Sequence, residues 1–180
     1  ADQPVLDLGS GSGVLGSQIA FQTAFKGFEV TVYDINDEAL DRAKSRIHDL
    51  TPHYRHDLGT SEEELAAALS RLSFNSDLAQ AVAQADLVIE AIPEVVQIKT
   101  DFYQELSKVA PERTVFATNS STLLPSQFAE ATGRPEKFLA LHFANEIWKN
   151  NTGEIMKHPG TDTTVFNATD RRRYERELLR

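Results

Sequence analysis

The sequence predicts a doubly wound α/β domain, a mainly parallel sheet with helices on both faces. Three observations carry that expectation. Short β-branched runs alternate with stretches of helical length, the first run enters a glycine-rich turn that opens a helix, and no repeat or low-complexity linker interrupts the 180 residues. Strands separated by helix-length segments need crossover connections, which give parallel neighbours and run right-handed.

Val5 to Leu8 is the first apolar run. Val14 to Lys26 follows as a helix with Leu15, Ile19 and Ala20 on one face, and Gly27 stands where a terminator belongs. Phe28 to Tyr33 reads as the second strand, ending at Asp34, and Asp37 to Leu50 as a charged helix. Thr60-Ser61-Glu62-Glu63 offers a capping box for a helix running to about Arg71. A short strand over Leu72 to Phe74, a helix near Asp77 to Ala83 and a buried strand over Leu87 to Ile92 come next. Val95 to Val109 is helical, and Thr114 to Thr118 and Leu139 to Phe143 are strands.

Composition is that of one globular domain, with 41% apolar and 25% charged residues. A net charge of −9 argues against a general nucleic-acid-binding surface. The absence of cysteine removes disulfides, thiolate catalysis and cysteine-ligated zinc, and fits a cytoplasmic protein. No apolar run approaches the roughly 20 residues that cross a bilayer, and Ala1-Asp2-Gln3-Pro4 does not open a signal peptide. No membrane partner and no metal site are expected. Residues 1–162 form the expected nucleotide-binding domain and 163–180 a charged tail. That tail reads as a solvated helix or a frayed end, since Asp170, Glu175 and Glu177 interrupt its arginines.

The glycine-rich turn reads in two frames. Gly11-Ser12-Gly13-Val14-Leu15-Gly16 fits G-x-G-x-x-G, whose glycines permit a tight turn, close approach to a pyrophosphate and helix-on-strand packing. The phosphates would meet N–H groups at the helix opening, Val14 and Leu15 among them. Asp34 lies 18 residues beyond Gly16, near the roughly 20 at which a carboxylate grips the ribose hydroxyls. An acid there disfavours a 2′-phosphate, so this Rossmann-type reading prefers NAD to NADP. In the second frame, Asp7, Gly9, Gly11 and Gly13 resemble the first motif of S-adenosylmethionine-dependent methyltransferases, which makes S-adenosylmethionine the alternative cofactor. Asp7 is awkward beside a pyrophosphate. A third reading is a folded scaffold that binds neither cofactor well.

From about Val14 to Asp162 the chain resembles the NAD-binding domain of 3-hydroxyacyl-CoA dehydrogenases, in particular the 3-hydroxybutyryl-CoA type. The segments that carry the likeness are GVLGSQIAFQTAFKGFEVTVYD, ADLVIEAIPEVVQIKTDFYQEL, ATNSSTL, RPEKFLALHFAN and GEIMKHPG. The resemblance implies that Asp34 binds the adenosine ribose, that Glu94 and Lys99 lie along the nicotinamide side, and that Asn119 and Ser121 approach the nicotinamide ribose and the substrate hydroxyl. It implies that His142 is the general acid/base, Glu154 its orienting carboxylate and Asn145 a substrate-positioning residue. Oxidising a secondary alcohol needs a base that titrates near neutrality, and a histidine paired with a carboxylate supplies one. As isolated residues, His142 would be a satisfied structural histidine and Glu154 a surface carboxylate.

The sequence departs from that family at three places. Asp7 and two extra residues alter the first loop, and a mixed loop and body read as a recombined, engineered chimera. The stretch His142-Phe143-Ala144-Asn145-Glu146 lacks the family's second Phe and its Pro. The helical second domain that shapes the acyl-CoA cleft and forms the dimer is not among the 180 residues. The expectation is a monomer that binds a nucleotide cofactor with little or no turnover of acyl-CoA.

Overall fold

The computed structural model describes residues 13–150 and 152–169, and residues 5–9 by their backbone. Gly11, the side chain of Asp7 and the tail from Asp170 lie outside the described residues. The chain runs β1 (Val5–Gly9), α1 (Val14–Phe25), β2 (Glu29–Tyr33), α2 (Asp37–Leu58), α3 (Glu62–Ser70), β3 (Leu72–Asn75), α4 (Leu78–Val82), β4 (Ala85–Glu90), α5 (Val96–Val109) and β5 (Val115–Thr118). Three single helical turns between Pro125 and Lys137 lead to β6 (Phe138–Phe143), β7 (Gly153–Met156) and α6 (Thr163–Ala168).

The strands form one seven-stranded sheet in the order β3-β2-β1-β4-β5-β6-β7. All neighbours are parallel except β6 and β7. Strand order reverses at β1, which pairs with both β2 and β4, and such a switch point opens a crevice at the strands' carboxyl ends. Alternate residues feed two cores. Leu87, Ile89, Ala117, Leu139 and Leu141 join α1, α2 and α3 on one face. Val88, Phe116 and Phe138 meet Tyr103 and Leu106 of α5 on the other. With both faces covered, these strands read as apolar runs rather than alternating ones.

Three elements differ from the sequence reading. Helix α2 continues to Leu58 instead of stopping at Leu50, straight through Pro52. Proline cannot donate to the carbonyl four residues back, that of His48. The Thr51 hydroxyl donates to that carbonyl instead, at 2.9 Å, and Gly59 in the left-handed region ends the helix. The capping box of α3 sits one residue later than expected: Glu64 accepts from Ser61 N at 2.9 Å, and Ser61 Oγ accepts from Glu64 N at 3.2 Å. Strand β7 and the single turns before β6 had no sequence signal.

Candidate cofactor and active site

A cavity of about 880 Å³ opens along the carboxyl ends of the central strands. Gly13, Leu15 and Gly16 at the opening of α1, Tyr33 and Asp34 at the end of β2, and Ala91 to Glu94 after β4 border it, as do Asn119 and Ser121 after β5. Gly13 is the N-cap of α1, with extended backbone and no side-chain capping bond, and the first turn carries no acid. The opening N–H groups of a helix lack intrahelical acceptors and carry its positive dipole end. An anionic group is therefore accepted there without a competing carboxylate from the turn.

Asp34 is 7% exposed, and its Oδ1 accepts from Ile35 N at 2.8 Å. That bond holds the carboxylate at the carboxyl end of β2, where the residue borders the same cavity. Along the outer wall, Phe102 of α5 stacks with Tyr33 at 6.3 Å between ring centroids, and Ile98 adds apolar surface beside them. A helix opening for phosphates, a carboxylate for a ribose diol and an apolar wall for a flat base occur in sequence along one cavity. This donor and acceptor set fits a dinucleotide.

Beyond Ser121, which borders the cavity, stands a histidine with both ring nitrogens engaged. In the antiparallel pairing of β6 and β7, His142 lies directly opposite Glu154, and opposed side chains share one face of a sheet. Glu154 Oε2 is 3.2 Å from His142 Nδ1, and Ser121 Oγ is 3.0 Å from His142 Nε2. A carboxylate can only accept from Nδ1–H, which in the neutral imidazole leaves Nε2 as the acceptor facing Ser121. His142 is 25% exposed and Glu154 64%.

The turn carrying Ser121 is held from the β4 side. Glu94 Oε2 accepts from Ser120 Oγ at 2.6 Å and from Thr122 Oγ1 at 3.3 Å, and its Oε1 accepts from Ser121 N at 3.3 Å. Asn119 Oδ1 accepts from Phe143 N at 2.9 Å, fixing the end of β6 beside His142.

Asp34, Glu94, Asn119 and Ser121 border the cavity, and His142 and Glu154 extend it through Ser121. Three further residues expected at the site do not border the cavity with their side chains. Lys99 is wholly buried directly behind the cavity wall: its ammonium meets Glu90 Oε1 at 2.5 Å, the Ile92 carbonyl at 3.2 Å and Glu94 Oε1 at 3.9 Å. Val14 is the first residue of α1, so its N–H stays at the helix opening, while its side chain, 60% exposed, faces a separate small pocket between α1 and α2. Asn145 is exposed on the turn after β6, outside the cavity lining.

The sequence reading passed over Glu90, the last residue of β4. Its side chain is 0% exposed and receives Lys99, Ile92 N, Tyr103 OH and Thr118 Oγ1. A lone carboxylate in the run LVIEAI was the available signal, because a buried acid requires partners. Burial, and then the neighbouring Glu90 carboxylate, push the Tyr103 phenol well above its ordinary range, so it remains a donor.

The family model described as the NAD binding domain of 3-hydroxyacyl-CoA dehydrogenase matches residues 10–173. Rat mitochondrial hydroxyacyl-coenzyme A dehydrogenase is 32% identical over 163 residues, covering 88% of this chain and 52% of that protein. A probable 3-hydroxybutyryl-CoA dehydrogenase of Deinococcus radiodurans is 36% identical over 161 residues, covering 89% of this chain and 57% of the relative. The chain thus spans about half the length of these relatives. Among solved structures, a diketoreductase described by its dual catalysis of dicarbonyl compounds is 50% identical, with a TM-score of 0.91. That match covers 98% of this chain and 61% of the other. The Escherichia coli 3-hydroxybutyryl-CoA dehydrogenase is 32% identical at a TM-score of 0.84, covering 93% and 35%.

Proposed function

The chain belongs to the 3-hydroxyacyl-CoA dehydrogenases as their NAD-binding domain, and on that premise we propose that it serves the interconversion of a secondary alcohol and a ketone, with His142 handling the alcohol proton. One observation carries the reading: the Glu154–His142–Ser121 chain of contacts meets, at Ser121, the same cavity that Asp34 borders. Gly9, Gly11, Gly13, Leu15 and Gly16 would form the turn and helix opening for the pyrophosphate. Asp34 would grip the adenosine ribose and repel a 2′-phosphate, while Asn119 and Ser121 would meet the far ribose and the substrate. The S-adenosylmethionine reading rested on Asp7 to Gly13 alone, and the family assignment points to NAD. When bound, the nicotinamide supplies a two-electron redox partner.

The proton falls to His142. With Nδ1 given to Glu154, Nε2 takes a proton from a hydroxyl placed beside Ser121, and Glu154 balances the charge that gathers on the ring. Ser121 Oγ marks where that hydroxyl hydrogen-bonds. For substrate, the 3-hydroxyacyl-CoA of the family and the dicarbonyl compounds of the diketoreductase share one chemistry. A 3-oxoacyl thioester is itself a 1,3-dicarbonyl, so the proposed substrate is a ketone with a second carbonyl two carbons away. The composition supports a cytoplasmic setting.

Glu154 stands open to solvent on this domain and His142 is partly exposed, and such chemistry benefits when water is excluded. The domain alone should therefore bind NAD and turn over slowly. Calorimetric titration with NAD, run beside NADH oxidation with acetoacetyl-CoA and with a simple diketone, tests this. The expected result is NAD binding unchanged in His142→Gln, with the residual turnover abolished. Residual turnover that survives His142→Gln would overturn the assignment of the base, and a family-like rate from the domain alone would overturn the argument from exposure.

A further inference from the structure

Behind the cavity wall lies a polar cluster that the proton chemistry does not use directly. Lys99 stands in the opening turns of α5, where the helix dipole disfavours a cation, and it is buried as well. Neither helix preference nor solvation accounts for a lysine there. Two carboxylates do: Glu90 at 2.5 Å and Glu94 at 3.9 Å. Glu90 is tied in turn to β5 through Thr118 Oγ1 at 2.9 Å and to α5 through Tyr103 OH at 3.0 Å. Lys99 also holds the Ile92 carbonyl, within the turn that forms the cavity wall.

The contacts continue outward without a gap. Glu94, beside the Lys99 ammonium, takes hydrogen bonds from Ser120, Ser121 and Thr122, and Ser121 meets His142 Nε2. We propose that Glu90 and Lys99 are positioning residues: their buried pair fixes the turn between β4 and α5, aims Glu94 at residues 120–122, and so sets Ser121 against His142. Neither is among the residues that border the cavity. The inference rests on the reading of His142 as the proton acceptor for its catalytic meaning, but its physical content is a claim about the Ser121–His142 contact.

Removing Lys99 alone strands Glu90 in the interior, and that variant can fail to fold for this reason alone. The test therefore uses the double variant Glu90→Gln/Lys99→Met, which removes both charges, together with Glu94→Gln and Ser121→Ala. The readout is the nitrogen resonances of the histidine rings in the intact chain, with His142 assigned through His142→Gln. His158 is the internal control. Its Nε2 meets the Pro135 carbonyl at 2.8 Å and its Nδ1 accepts from Gly160 N at 3.1 Å, on residues outside this cluster.

Ser121→Ala should displace the His142 Nε2 resonance. The double variant and Glu94→Gln should displace it in the same direction and by more than half as much, with His158 unmoved. If Ser121→Ala displaces the resonance and the folded double variant does not, the proposal alone is overturned. A double variant that moves His142 and His158 alike shows general loosening and also overturns it. If Ser121→Ala leaves His142 unmoved, the Ser121–His142 contact is absent, and the proposal falls together with the site geometry on which the functional reading stands.

Discussion

Replacing Tyr103 by Phe isolates one hydrogen bond beneath the site. The ring is 0% exposed and lies 5.0 Å from Phe138 and 6.3 Å from Phe116, centroid to centroid, so phenylalanine keeps the packing. What goes is the hydroxyl that donates to Glu90 Oε2 at 3.0 Å, leaving that oxygen with Thr118 alone. A hydrogen bond to a charged group contributes about 1.5–3 kcal/mol, and the cavity left by one oxygen is too small to admit a water as replacement. For a domain of this size each kcal/mol moves the melting temperature by about 2–4 °C, which gives a drop of roughly 3–12 °C. Urea unfolding of both proteins, with equal dependence on urea concentration, measures the difference directly. A loss below about 0.5 kcal/mol would place Tyr103→Phe among neutral substitutions and refute the claim that Glu90 depends on each of its donors.

Asp34→Ala should weaken NAD binding by about 10–100-fold, the worth of a charged hydrogen-bond acceptor for a ribose diol, and should narrow the preference for NAD over NADP; calorimetry with both cofactors checks it. The Asp57 carboxyl at the end of α2 receives His56, the Trp148 indole and Lys149, which together hold it well below the usual carboxylate range. Its folded form thus binds a proton less readily than the unfolded chain. The stability it contributes is complete above the ordinary carboxylate range and is lost as pH falls through that range toward the folded value. Asp57→Asn should flatten the acid side of a melting-temperature series while leaving NAD binding near neutral pH unchanged.

Patterning carried the parallel core because its signal is local. Runs such as FEVTVY and LVIEAI are rich in β-branched residues and bounded by helix-length segments; the first buries Phe28, Val30 and Val32 on one face, and the second buries Leu87 to Glu90 on both. The same locality explains where the reading stopped short. Pro52 marks a helix end in any window that omits the Thr51 hydroxyl, and the compensating bond exists only once the helix is formed. GEIM offers one β-branched residue, so β7 exists because β6 presents an open edge rather than through its own propensity. Site residues divide in the same way. Asp34 is legible from its spacing to Gly16, whereas Glu154 was reached only through family likeness. Lys99 was placed by likeness against the cofactor, yet its environment is decided by Glu90, a residue no spacing rule singles out.

The geometry around His142 follows from its place at the change from parallel to antiparallel pairing. A parallel neighbour such as β5 ends at the same edge of the sheet as β6 and can deliver only a turn there, which is how Ser121 arrives. An antiparallel neighbour starts at that edge, so its first residues lie flat against the end of β6, and the pairing of Phe143 with Gly153 leaves His142 opposite Glu154. The two ring nitrogens therefore draw on two kinds of connection. Nδ1 depends on register, which a slip of one residue would destroy by turning Glu154 to the opposite face. Nε2 depends on a turn that has no register of its own and is held instead by Glu94 and the Asn119 bond to Phe143. A histidine whose tautomer is fixed by strand pairing can tolerate a solvent-exposed carboxylate partner, because the sheet rather than burial restricts where that carboxylate can go.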